Sequence, residues 1–219
     1  MKNKNYYILA AFSSLLQIIS FILVFILVAS NSGLDNFFKN NPYIASLFTI
    51  FGFILVLFYI IGFMVFAREK KEKYLIYILI FMIIISLLSL ILVIFEDISG
   101  AKIIGIILIL DVLLKIIYYL SDMIFSIYLM SLSRLNRLLK YLGILNLLYI
   151  IFNISFDLAS NTSPSKLLSS TLPLIWSHLI IAYLGISFYG SIIVTILLGI
   201  LEIIFFLRLA KDKKNKKHR

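Results

Sequence analysis

Five side chains within one apolar stretch carry groups that could bind or move charge: Asp111, Lys115, Tyr118, Asp122 and Ser126. They are four, three, four and four residues apart, so on a helix they share one face. The rest of 103–130 is nearly all Ile, Leu, Val, Tyr and Met. Carboxylates and an amine in such surroundings are costly in lipid and turn toward protein or an aqueous cavity. The chemistry they suit is the binding or relay of a proton or ion. Other apolar runs carry polar faces too: Ser13, Gln17 and Ser20 in the first, Asn146, Tyr149, Asn153 and Asp157 in the fifth, and Ser191, Thr195, Gly199 and Glu202 in the last. The candidate intramembrane polar site is therefore Gln17, Asp111, Lys115, Tyr118, Asp122, Asn153 and Glu202.

Energy sets the terms for such a site. The 13 Ile, Leu and Val residues of 103–120 favour insertion by about 6 kcal/mol in total, and a central Asp and Lys together cost about the same. The run inserts near break-even, and Asp111 and Lys115 can lower the cost by pairing at i,i+4. Lys115 and Glu202 fall near the middle of their runs. Glu202 is thus expected within reach of Lys115 or Asp111, while Asp122, on so long a run, reaches the cytoplasmic headgroups. A plainer role competes with all of this, because Ser, Thr, Asn and Gln also join membrane helices by hydrogen bonds.

The elements that must hold these residues are membrane helices. The 219-residue chain is 63% hydrophobic and only 14% charged, with a mean hydropathy of +1.11. A soluble domain carries nearly twice that charge fraction. About 20 apolar residues span the hydrocarbon core, and apolar segments occur at 6–30, 43–67, 74–95, 103–130, 141–158, 172–189 and 191–210. The first is too long for the apolar part of a cleaved signal peptide and reads as a retained span. The sixth is separated from the seventh by Gly185-Ile-Ser-Phe-Tyr-Gly190, so it is either a crossing or a re-entrant or interfacial helix.

Charge distribution chooses between these. With six crossings and both termini cytoplasmic, sixteen Lys and Arg residues lie inside and three outside; with seven the split is ten to nine. The positive-inside bias favours six. The fold class is an all-α polytopic integral membrane helix bundle forming a single domain, followed by a basic cytoplasmic tail at 211–219. The net charge of +10 sits in short blocks at the ends of apolar runs. It suits anionic headgroups at the cytoplasmic face of a cell membrane, and the blocks lack the interleaved aromatics of a nucleic-acid surface.

Several chemistries have no residues to carry them. There is no cysteine, hence no disulfide, thiolate metal site or cysteine nucleophile. His178, beside Trp176, reads as an interfacial residue. No metalloprotease helix motif, phosphate loop or dense acidic cluster occurs, so no enzyme, cofactor or metal is expected. Two functions fit: a small transporter or channel-like protein with a polar interior, or a non-transporting scaffold or subunit whose polar faces meet a membrane-protein partner or a second copy.

Overall fold

The computed structural model describes residues 2–29, 42–99, 104–161 and 174–215, and among these every regular element is helical. The helices are α1 (Lys2–Ala29), α2 (Pro42–Lys70), α3 (Lys73–Ser99), α4 (Ile104–Ser131), α5 (Arg137–Asn161) and α6 (Leu174–Asn215), with one 3-10 turn at Leu132–Arg134. Each of the six carries a stretch long and apolar enough to cross a bilayer: Asn3–Leu23, Ile50–Lys70, Lys73–Leu92, Ile109–Arg134 (running on through the 3-10 turn), Arg137–Ser155 and Tyr189–Asp212. Helices are the natural solution, because a helix satisfies its own backbone N–H and C=O groups where no water can.

The expected interruption at Gly185–Gly190 does not occur. Residues 174–215 form one continuous helix of 42 residues, unbroken at Gly185 and Gly190. No proline lies between 174 and 215, and a glycine lowers helix stability by only about 1 kcal/mol without breaking the hydrogen-bond ladder. Gly190 serves packing instead: a Cβ there would lie 2.7 Å from Cε1 of Phe152. The side chains of Trp176 and His178 lie outside the described set.

The chain divides into two compact units. The first comprises Met1–Phe125 and Gly199–Arg219, the second Ser126–Leu198. In the first, α1 and α3 both pack on α2. A sharp connection joins α2 to α3. Lys71 takes φ 61°, its N–H donates to the carbonyl of Arg68 (3.2 Å), and the N–H of Glu72 donates to that of Ala67 (2.8 Å). These are the paired bonds of a Schellman cap, which satisfies carbonyls left open at the end of a helix. Gly62 permits close packing, since a Cβ would collide with that of Ala10 and come within 2.9 Å of Cε1 of Phe206.

In the second unit the start of α5 is capped by Asn136, whose Oδ1 accepts the N–H of Leu138 at 3.0 Å. Nδ2 of Asn146 donates to Oγ of Ser126 at 2.9 Å, tying α5 to the end of α4. Leu129, Leu139, Leu142, Ile150 and Val194 are buried there.

Polarity is distributed in the reverse of a soluble protein. Ile, Leu and Phe side chains lie exposed along all six helices, while Ser13, Ser14, Ser121, Asp122, Ser126, Asn146, Ser191 and Glu202 are buried. That pattern suits a solvent of hydrocarbon, in which polar groups gain by turning inward.

Candidate functional site

The deepest polar cluster lies in the first unit, where α1, α2, α4 and α6 each supply one side chain. Glu202 of α6 is 5% exposed and Asp122 of α4 is also 5% exposed. The hydroxyl of Tyr59, on α2, donates to the Glu202 carboxylate, and Asp122 lies close enough to act on both electrostatically. Ser14 of α1 is 1% exposed. Its hydroxyl stands beside Glu202 but outside normal hydrogen-bond geometry, leaving Oγ without a partner.

Local sequence explains how each residue arrives. Gly199, one turn before Glu202, lets α6 approach α1 so closely that a Cβ would lie 2.6 Å from Ile18. The contact brings Ser14 to the carboxylate. Ser13, beside it, donates its hydroxyl to the carbonyl of Leu55 and fixes α1 on α2. Ser121 donates to the carbonyl of Ile117 on its own helix at 2.6 Å.

An aromatic layer lies between this cluster and the charged helix ends. Phe63 is its hub, with ring centroids 5.1 Å from Tyr59, 5.3 Å from Phe125, 5.5 Å from Phe205 and 5.0 Å from Phe206. Edge-to-face and offset contacts at these distances are favourable beyond the area they bury. Phe205 and Phe206 follow Glu202 by three and four residues, and Phe125 follows Asp122 by three. The same short segments therefore supply the polar cluster and the apolar layer beneath it.

Depth follows from helix rise. Ser14 is ten residues from Lys4, Tyr59 nine from Arg68, Asp122 nine from the end of α4 at Ser131, and Glu202 six from Arg208. At 1.5 Å per residue these are about 9–15 Å along each helix. Asp122 itself is buried within the first unit.

The other expected residues sit differently. Asp111 and Lys115 pair at 2.8 Å, but their side chains are 32% and 59% exposed. Lys115 is seven residues from Asp122, about 10 Å along the helix. Glu202 therefore has Asp122 and Tyr59 for neighbours rather than the Lys115–Asp111 pair. The stripe on α4 is graded: exposed at Lys115, half-buried at Tyr118, buried at Asp122 and Ser126. Tyr118 acts electrostatically on Tyr59. Gln17, one turn beyond Ser14 on α1, has a buried Nε2 without a hydrogen-bond partner. Asn153 belongs to the second unit and donates to the carbonyl of Tyr149 on its own helix at 3.1 Å.

Tyr59 and Ser14 were not among the expected residues. Tyr59 is one of 13 tyrosines in an aromatic-rich chain, and nothing in its spacing separates it from a packing residue. Ser14 could have been found, because it lies three residues before Gln17 on the same helical face. Among the described residues no group of three or more His, Asp or Glu side chains is placed to hold a metal ion.

An all-helical chain with six bilayer-length apolar helices, apolar outside and polar within, defines the class: a multi-pass membrane protein. No protein-family model, curated protein or solved structure matches the chain.

Proposed function

We propose that this is a small transporter or channel-like protein in which Glu202, with Tyr59, Ser14 and Asp122, takes up and releases a proton or monovalent cation. The observation that carries this reading is the unpartnered Ser14 hydroxyl beside a buried carboxylate. Buried polar atoms are almost always satisfied, and the nearest groups acting on Glu202 are two hydroxyls and a second carboxylate. Such a set offers oxygen ligands and negative charge, which suits a small cation in a low-dielectric site. Gln17 extends the polar face of α1 by one turn, with its own orphaned nitrogen. The Lys and Arg distribution favours cytoplasmic termini in a cell membrane.

The test is flux in sealed vesicles. Purified protein reconstituted into liposomes with an internal pH dye and an internal sodium dye is challenged with a potassium-diffusion potential. A flux that the wild type supports and a folded Glu202→Gln variant lacks upholds the reading. Equal signals from protein-free, wild-type and variant vesicles would overturn it.

A scaffold or subunit role is the second reading. It is favoured by the exposed Lys115–Asp111 pair, a polar feature on an outward face where a partner helix could engage it. Crosslinking from position 115 in native membranes tests it.

A further inference from the structure

A cleft of about 450 Å³ opens in the first unit between the start of α1 and the end of α2, lined by Asn3, Tyr6, Ile61, Met64, Val65 and Arg68. The α2 residues repeat at i, i+3, i+4 and i+7, so they form a single helical face about 10 Å long. Its inner three positions are apolar and half-buried; its outer position is an exposed guanidinium. The Arg68 side chain has no ion-pair or hydrogen-bond partner among the described residues. The Asn3 amide is engaged by Glu69, which it meets at 2.7 Å.

The geometry points to a site for one anionic phospholipid, its phosphate on Arg68 and the upper part of an acyl chain along Ile61, Met64 and Val65. Charge and polarity both select this occupant. Arg68 lies two residues from the end of a membrane-length stretch, the kind of position where a headgroup meets hydrocarbon. Lys70, Lys71 and Lys73 follow it, all exposed, and with Arg68 they outnumber Glu69 and Glu72. A guanidinium can hold two phosphate oxygens at once. A zwitterionic headgroup gains less from such a corner, and a soluble anion gains nothing from the apolar wall. The inference is independent of whether Glu202 transports anything.

The test is native mass spectrometry of the full chain released from detergent micelles doped with equal amounts of phosphatidylglycerol and phosphatidylcholine. The expected result is retention of one phosphatidylglycerol in about tenfold preference, the value of one charge-assisted contact. Arg68→Ala should abolish the preference. So should Met64→Trp, which fills the apolar wall without changing charge, while Lys140→Gln in the other basic turn should keep it. Gel filtration and helical dichroism report whether each variant is folded. Equal retention of both lipids overturns the proposal. So does a preference unchanged in folded Arg68→Ala or Met64→Trp, displacement of the lipid by millimolar glycerol phosphate, or recovery of the protein as a dimer without lipid.

Discussion

The contact between Tyr59 and Glu202 can be isolated by a double-mutant cycle. Glu202→Leu leaves the Tyr59 hydroxyl without its acceptor, at a cost of about 1–2 kcal/mol for an orphaned buried donor. Tyr59→Phe removes the donor and leaves the carboxylate with one hydroxyl fewer. If the two act on each other, the double variant loses less than the sum of the single losses. Coupling energies between polar side chains in membrane proteins average about 0.6 and reach about 1.7 kcal/mol, and for a buried hydroxyl–carboxylate pair about 1 kcal/mol is expected here. Glu202→Gln retains a carbonyl acceptor and should stay coupled to Tyr59. Lys115→Leu should add to Glu202→Leu without coupling, because Asp122, the residue of α4 that acts on Glu202, is seven residues from Lys115, about 10 Å along the helix. The assay is reversible unfolding by sodium dodecyl sulfate from mixed micelles, followed by circular dichroism. Losses for Tyr59→Phe and Glu202→Leu that add to within about 0.3 kcal/mol would refute the site geometry, as would clear coupling between positions 115 and 202.

Other substitutions probe what holds the site. Gly62→Ala drives a Cβ into Ala10 and toward Phe206, and should cost about 1–3 kcal/mol of stability in the same unfolding assay. Lys71→Gly relieves a left-handed residue at φ 61° and should raise stability by about 1 kcal/mol. Ser126→Ala deprives the Asn146 amide of its 2.9 Å acceptor and should cost up to about 1.7 kcal/mol, read as a lower midpoint of denaturation.

The membrane class was legible in the sequence because it rests on composition and run length, both summed over many residues. Six spans also followed, from Lys and Arg placement alone. The glycines at 185 and 190 do not break α6. Glycine loosens a helix in isolation, but a neighbour such as Phe152 can use the missing Cβ as a packing surface, and sequence does not show the neighbour.

By itself, then, the sequence determined that α4 and α6 carry costly charges in apolar surroundings, since that depends only on residue type and near neighbours. Which charges face one another was decided by tertiary structure. Close approach at Gly62 and Gly199, and the ring contacts of Phe63 with Phe205 and Phe206, set the rotation of α1, α2 and α6. That rotation turns Glu202 toward Tyr59, Ser14 and Asp122 and leaves Lys115 with Asp111. Helical periodicity fixes a residue's place on its own helix, but the phase between helices is set by packing, which no single helix encodes.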